Sequence, residues 1–349
     1  MHVIPSTPVS PQLAPLVGEP VRWIAKRFPE ANLREVAVVR APELDRRADP
    51  EGKSRVWLAL EALQTTGSFK VRGALVALDA VRQRCGKEAR VVAASAGNHG
   101  AGVAYAARAL GMSATVVVPS GVPKAKRSRI EAYGAKLVFA DSDSYDDAES
   151  RAIALAAETG ATFVSPYDDP DVVAGNGGSL GFEIVRAMGK VPDLVLAPFG
   201  GGGLATGLAH AFAADSQPGA SARCVWGVQS EASPAMALSL ERGEAVLRLA
   251  LTRSTLAEGL EGGISKPAFE RAREAVAGVV VVSEDEIAAA MRYSFEEMGL
   301  VIEGSAAAAL APVLQGLPET LPRGGVDRVV VLTGRNLDGA RLASVMSSR

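Results

Sequence analysis

Apolar runs of strand length recur along this chain, and most are followed by a glycine-bearing loop and a helical pattern of apolar residues. Parallel strands need a crossover that is usually a helix, so the alternation predicts an α/β protein with mostly parallel, open sheets flanked by helices. The predicted strands span residues 56–60, 90–94, 114–118, 136–140, 162–164, 194–197, 224–228, 279–282 and 328–332. Helices with recognisable ends are predicted at 101–110, 124–133 and 285–298, the last opened by a capping box of Ser283 and Glu286.

The length and charge of the chain favour a two-domain protein that acts on small molecules. Its 349 residues exceed the usual size of a single hydrophobic core. A formal net charge of -2 provides no field suited to nucleic acid or to a membrane surface. We therefore expect a small-molecule partner and no binding of nucleic acid or membrane.

The cysteines and histidines are too few and too scattered for a disulfide framework or a histidine-rich metal site. The chain has 2 cysteines, Cys85 and Cys224, and 3 histidines. Its proline-rich start lacks the charged and apolar regions of a secretory signal, so a cytoplasmic location is expected. The uncharged stretch 194–214 is long enough for a membrane span, but Pro198 and the glycines after it indicate a strand, a loop and a helix.

Lys70 lies in the segment GSFKVRGA, where a helix is predicted to begin after the strand at 56–60. Apolar residues recur at helical spacing from Val71 onward, and Ser68 is the predicted N-cap. The positive end of the helix dipole, together with any burial, lowers the pKa of an amine at this position. A partly neutral amine can condense with a carbonyl compound. A first-turn lysine with its amine in water fits the same local pattern.

The loops that follow the predicted strands are candidate sites, because ligands of open parallel sheets bind beyond the carboxyl ends of the strands. The loop at 95–100 reads SAGNHG and is either an ordinary turn or a ligand loop in which Asn98 donates and accepts hydrogen bonds. Four consecutive glycines at 200–203 precede an apolar helix, which suits a phosphate dianion. The same glycines fit a dinucleotide motif, so that alternative stays open. Thr333 begins the loop TGRN, where its hydroxyl can cap the final helix or face a ligand nitrogen.

The segments GSFKVRGA, SAGNHGAG, GGGG, VIEGSAAAAL and TGRN follow one another in this order over most of the chain. Together they resemble the fold type II pyridoxal phosphate enzymes, specifically the threonine and serine dehydratase group that also includes serine racemase. The resemblance implies a large cofactor-binding domain of residues 1–85 and 168–349. It also implies a small domain of residues 86–167, which contains the asparagine loop. Pyridoxal 5'-phosphate is the implied cofactor, and an amino acid is the implied substrate.

The resemblance also implies roles for single residues. Lys70 would hold the cofactor covalently and then remove the α proton of the substrate. Phe69 would pack against the pyridine ring, Asn98 would meet the phenolic oxygen and Thr333 would face the pyridine nitrogen. Glu303 matches an acidic residue near the ring. The cofactor phosphate would be held by Gly200, Gly201, Gly202 and Gly203. The substrate carboxylate would be received, chiefly by main-chain amides, at Ser95, Ala96, Gly97, Asn98 and His99.

The implied activity is that of an ammonia-lyase, a carbon–nitrogen lyase that converts a β-hydroxy amino acid of the L-threonine or L-serine type to a 2-oxo acid and ammonia. The neutral hydroxyl of Thr333 does not enforce a charged pyridinium, which suits elimination. The alternative is another β-elimination or β-replacement, with hydroxyaspartate, diaminopropionate or an O-activated serine as substrate. A racemase and a non-catalytic cofactor-binding protein are further alternatives.

Several residues depart from the pattern of this group. Ala96 stands where racemase-like relatives place a hydroxyl base, so racemisation is not expected. Gln229 stands where some relatives bind a divalent cation through an acidic residue, so no metal is expected there. The chain ends soon after TGRN, so control through a C-terminal regulatory domain is not expected. We expect a homo-oligomer, either a dimer or a tetramer, with the N-terminal segment 1–35 covering a lobe or a subunit interface.

Overall fold

A computed structural model of the protein describes residues 1–7, 18–216, 223–249, 251, 253–322 and 324–348. The strands are β1 (His2–Pro5), β2 (Val38–Arg40), β3 (Arg55–Leu60), β4 (Arg90–Ala94), β5 (Ser113–Val118), β6 (Lys136–Phe139), β7 (Thr162–Phe163), β8 (Leu194–Pro198), β9 (Val225–Ser230), β10 (Gly278–Val282) and β11 (Asp327–Leu332). The first helices are α1 (Glu19–Arg22), α2 (Ile24–Arg27), α3 (Pro42–Ala48), α4 (Lys70–Cys85), α5 (Asn98–Leu110), α6 (Lys124–Ala132), α7 (Tyr145–Thr159) and α8 (Pro170–Val173). The later helices are α9 (Ser179–Met188), α10 (Gly203–Asp215), α11 (Ala235–Arg242), α12 (Lys266–Ala275), α13 (Glu284–Glu296), α14 (Gly304–Leu314) and α15 (Gly339–Ser347).

The described strands form two sheets, which confirms the predicted α/β class. The larger sheet has the order β1-β10-β9-β8-β11-β3-β2, and the smaller has the order β6-β5-β4-β7. Only the edge pairs β1–β10 and β2–β3 are antiparallel, and the other pairs in the described residues are parallel. Every strand predicted from the sequence is present, as β3 to β11. The two antiparallel edge strands were not predicted.

The larger sheet is covered by helices on both faces, which explains why its strands are apolar throughout. Along β8, Leu194 and Leu196 pack in one core with the buried helix α14. The alternate residues Val195 and Ala197 pack in a second core with α10. The uncharged stretch 194–214 is therefore a central strand, a glycine loop and a buried helix. No helix in the described ranges is long and apolar enough to cross a membrane.

The smaller sheet packs between α7 on one side and the helices α4 and α5 on the other. Val71 and Leu75 of α4, together with Ile24 and Phe28 of the N-terminal segment, share a core with strand β4. The core under this sheet therefore extends before residue 86, where the domain division was predicted. That division stays a proposal, and part of the N-terminal segment, residues 8–17, lies outside the described residues.

The predicted helix ends are correct in two places and wrong in one. Gly111 ends α5 with a left-handed backbone, and Ser283 and Glu286 form the predicted capping box at α13. Ser68 does not cap α4, because the helix begins at Lys70 with Phe69 at the N-cap position. The backbone amide of Phe69 is held by the Thr333 carbonyl at 3.1 Å, so a tertiary contact fixes this turn.

We expect Ser283→Ala to destabilise the protein by about 1 kcal/mol, because the capped amide of Glu286 loses its acceptor. The change is read as the shift in the midpoint of denaturant unfolding. Ser128→Ala serves as a control, since Ser128 is exposed within α6, and its effect should stay within about 0.5 kcal/mol. Equal effects of the two substitutions would contradict the capping role.

Candidate active site

The lysine turn and the TGRN loop form one backbone-bonded unit. They follow β3 and β11, which are parallel neighbours in the larger sheet. The Phe69 amide donates to the Thr333 carbonyl at 3.1 Å, and the Arg335 amide donates to the Gly67 carbonyl at 3.0 Å. The backbone amide of Glu303 also donates to the Gly334 carbonyl at 3.0 Å. Three segments that are distant in sequence therefore converge on one point.

A buried ion network fixes the helix that carries the lysine. The Arg72 guanidinium donates to both carboxylate oxygens of Glu61 at 2.8 Å and to those of Glu183 at 3.0 and 2.7 Å. These three side chains are almost completely inaccessible to solvent. The two carboxylates hold the pKa of the guanidinium above its usual range despite its burial. The network ties α4 to the turn after β3 and to α9.

The Lys70 amine lies among buried groups at the start of α4. It donates to the Pro166 carbonyl at 3.2 Å and lies 5.2 Å from the centroid of the Phe69 ring. Burial lowers the pKa of the amine to about 8, against a smaller opposing effect of the Glu303 carboxylate. A substantial fraction of this amine is neutral near pH 8. The structure thus differs from the solvated lysine that the sequence left open.

Asn98 connects the loop after β4 with the other two segments. Its Nδ2 donates to Glu303 Oε1 at 2.8 Å, and its Oδ1 accepts from Asn336 Nδ2 at 2.7 Å. Burial raises the pKa of the Glu303 carboxyl to about 7, while the Asn98 hydrogen bond opposes that rise. The carboxylate fills the space that a side chain at Gly334 would need. An amide has two N–H donors, so Asn98 keeps one for a ligand.

The glycines 200–203 lie between β8 and the first turn of α10. Gly202 has φ of 84°, and a Cβ there would lie 2.7 Å from Phe199 Cζ. A Cβ at Gly201 would meet the ring of Tyr167. Only glycine fits these positions, and the resulting cradle opens onto helix amides that have no intrahelical partner. This arrangement suits a phosphate group.

The loop of Ser95 to His99 leads into the N-terminus of α5. The Ser95 hydroxyl accepts from the Gly97 amide at 3.1 Å. His99 is buried, with Nε2 placed 3.1 Å from the Val164 carbonyl, so this nitrogen carries the proton. Burial, together with the Lys70 charge, lowers the pKa of the imidazole to about 3. The His99 ring therefore points away from the loop, whereas its backbone amide lies in it.

Ser68 and Thr333 place two buried hydroxyls beside Lys70. The Ser68 Oγ is fully buried and has no hydrogen-bond partner among the described residues. Thr333 does not cap the final helix, because Asp338 caps α15 through the Ala340 amide at 2.7 Å. An unpartnered buried hydroxyl, a glycine cradle and a partly neutral amine fit a phosphorylated aromatic aldehyde such as pyridoxal phosphate.

Three contributors to this site were absent from the predicted set. Asn336 and Arg72 stand inside the segments TGRN and GSFKVRGA, so their motifs gave a signal without a role. Tyr167, which packs on Gly201, gave none. Gln229 is engaged structurally, since it donates to the Phe199 carbonyl at 3.1 Å and accepts from the Ala237 amide at 3.0 Å. No cluster suited to a metal ion occurs in the part of the chain that the structure describes.

We expect the cofactor-free Lys70→Met variant to be about 2–3 kcal/mol more stable than the cofactor-free wild type at pH 7. An amine whose pKa falls on folding destabilises the fold below that pKa. The cost fades as the pH rises from about 8 to 10.5, where the unfolded amine also loses its proton. The gain should shrink accordingly in unfolding curves recorded from pH 7 to 10. A constant gain would contradict a depressed pKa, and the exposed Lys87→Met is the control.

Comparison with known proteins places this site in a family. The family model "Pyridoxal-phosphate dependent enzyme" matches residues 32–334. The chain is 37% identical over 286 residues to the L-threonine ammonia-lyase of Thermotoga maritima, a match that covers 81% of this chain and 67% of the relative. It is 36% identical over 296 residues to the catabolic L-threonine dehydratase TdcB of Escherichia coli K12, covering 84% and 86%.

Solved structures agree with this relationship. A threonine deaminase from the organism abbreviated T.th. superposes with a TM-score of 0.78 at 36% identity, covering 91% of this chain and 98% of that one. Processed threonine deaminase isoform 2 of Solanum lycopersicum gives 0.81 at 27% identity, covering 100% and 98%. From the family match, the sequence relatives and these structures together, the chain belongs to the pyridoxal-phosphate dependent enzymes of fold type II.

Proposed function

We propose that this protein is an ammonia-lyase that eliminates water from a β-hydroxy amino acid of the L-threonine or L-serine type, giving a 2-oxo acid and ammonia. The observation that carries the proposal is the Lys70 amine, whose pKa of about 8 suits a group that must lose and accept a proton near neutrality. The kinship to L-threonine ammonia-lyases supports the same reaction.

Bound pyridoxal phosphate would supply an electron sink for the pair of electrons left at the α carbon. Lys70 would hold the cofactor and, once released from it, take the α proton. Asn98 would meet the phenolic oxygen with its free N–H, while its bonds to Glu303 and Asn336 keep the amide in place. Phe69 would limit the tilt of the ring, and the buried Thr333 hydroxyl would face the pyridine nitrogen.

The two anionic groups of the bound partners would each meet backbone amides. The cradle of Gly200, Gly201, Gly202 and Gly203 would take the cofactor phosphate at the positive end of α10. The substrate carboxylate would lie against the loop formed by Ser95, Ala96, Gly97, Asn98 and His99 at the start of α5. Neutral, inward-pointing His99 would contribute its amide rather than its ring.

We expect Lys70→Ala to lose the visible absorbance of the bound cofactor and to lower turnover of L-threonine by roughly 10³-fold or more. The loss follows because no other amine lies in this cluster of described residues to replace it. Spectra and the release of 2-oxobutanoate and ammonia measure the two effects. Lys87→Ala, an exposed lysine in a loop, should behave as wild type. Full turnover by Lys70→Ala would refute the assignment.

The purified protein should show no efficient interconversion of L-serine and D-serine. A second base on the face opposite Lys70 is required for racemisation, and the methyl group of Ala96 cannot move a proton. Chiral chromatography of serine after incubation measures the outcome, with 2-oxo acid formation from L-serine as the internal comparison. Racemisation faster than elimination would show that another group serves as the second base.

A β-replacement or a different β-elimination is the second candidate, with O-activated serine, diaminopropionate or hydroxyaspartate as substrate. A panel of these amino acids, scored for 2-oxo acid and ammonia with and without an added nucleophile, separates the candidates. Replacement predominates if the nucleophile suppresses ammonia release and appears in the product. A protein that binds the cofactor yet converts no member of the panel would be a non-catalytic binding protein.

We also propose a cytoplasmic homo-oligomer, a dimer or a tetramer, with domains of residues 1–85 plus 168–349 and of residues 86–167. A groove of about 270 Å³ lined by apolar side chains that include Leu63, Leu300 and Val301 supports association. Light scattering that gives the mass of a single 36.0 kDa chain would contradict the oligomer. Cell fractionation tests the location, and limited proteolysis between residues 85 and 90 tests the domain division.

A further inference from the structure

Arg129 is a partly buried cation without a partner. It lies in α6, and its guanidinium makes no hydrogen bond or ion pair with any residue of the described ranges. Arginines that lose part of their hydration are normally paired, because an uncompensated charge away from water is costly. An anion that reaches this guanidinium would therefore gain a charge-assisted hydrogen bond at little additional desolvation.

The face of α6 that carries Arg129 borders the active-site cleft. Lys126, one turn earlier on the same face, binds the Glu258 carboxylate at 2.5 Å. Glu258 begins the turn Glu258–Leu260, which packs on the glycine cradle: a Cβ at Gly200 would lie 3.0 Å from the Gly259 carbonyl oxygen. On the other side of Arg129, Ile130 packs against Gly100 at the start of α5.

The acidic groups nearest to Arg129 are already engaged. Glu258 binds Lys126 and also Arg341, the latter at 2.9 Å. Glu303 accepts from Asn98 at 2.8 Å. The Arg129 charge still reaches Glu303 and contributes to lowering the pKa of that carboxyl against the effect of burial. A free positive charge therefore faces the Asn98–Glu303 pair from the opposite lobe.

We propose that Arg129 is a specificity-determining residue that binds a second carboxylate, carried on the side chain of the substrate. The preferred substrates are then β-hydroxy amino acids with a β-carboxylate, of the 3-hydroxyaspartate type, rather than L-threonine. The α-carboxylate would keep the amides of the Ser95–His99 loop, and the planar guanidinium would bind the β-carboxylate through two parallel N–H donors. This inference rests on the proposed elimination and names its substrate class.

The reaction balances in the same way as with L-threonine. The α proton goes to Lys70, the Cβ–O bond breaks and the hydroxyl leaves with a proton as water. One water then replaces the nitrogen at the α carbon, which releases ammonia. The product from 3-hydroxyaspartate is oxaloacetate, and no oxidant or further reactant is needed.

Arg129→Ala in the holoenzyme tests the proposal through a ratio. We expect kcat/KM for L-3-hydroxyaspartate relative to that for L-threonine to fall by about 10–100-fold, the loss of one charge-assisted pair. Arg129→Lys should retain part of the preference, since it keeps the charge but not the planar fork. Arg127→Ala removes the same charge from the same helix, where Arg127 lies over the Phe139 ring, and should leave the ratio unchanged.

A binding measurement decides the same question without turnover. L-aspartate and L-2-aminobutyrate both lack the β-hydroxyl, and only the former has a β-carboxylate. Calorimetry should show that Arg129→Ala weakens L-aspartate about 10-fold or more relative to L-2-aminobutyrate. Unchanged ratios in both assays, or a weakened affinity for pyridoxal phosphate, would overturn the proposal. If wild type converts neither hydroxy amino acid, elimination itself fails, while the aspartate result still decides the role of Arg129.

Discussion

The active site depends on the buried pairing of Arg72 with the carboxylates of Glu61 and Glu183. Removing one member of such a network leaves an uncompensated charge in the interior and costs about 3–5 kcal/mol. The network joins the turn after β3, the start of α4 and α9 within two residues of Lys70. Because its guanidinium is planar and fully bonded, the first turn of α4 has little freedom, and the lysine amine is delivered to one position.

Backbone hydrogen bonds then bring the remaining groups to that amine. β3 and β11 are neighbours, so the loops that follow them meet at the same edge of the sheet. The Phe69–Thr333 and Glu303–Gly334 bonds fix the two loops to each other, and Asn98 reaches across from the smaller sheet. Burial of this junction lowers the pKa of the amine and raises that of the Glu303 carboxyl towards each other. A pair poised near neutrality is the electrostatic basis of proton transfer.

The sequence predicted the parallel strands and the loops that bear the site, because apolar runs and glycine-bearing loops are local signals. It did not predict β1 and β2, which have 4 and 3 residues and are too short for a periodic pattern. Ser68 was wrongly assigned as a cap, since the turn is held by Thr333, which lies far away in sequence. The pairing of Asn98 with Asn336 likewise joins distant residues and could not be read from spacing.

The central claim is that pyridoxal phosphate is carried on the amine of Lys70. Borohydride reduction of the holoenzyme, followed by digestion and mass spectrometry of the peptides, tests this claim directly. The account predicts one phosphopyridoxyl group per chain, located on the lysine of GSFKVRGA. A modified lysine elsewhere in the chain, or reduction that leaves the peptide containing Lys70 unmodified, would contradict it.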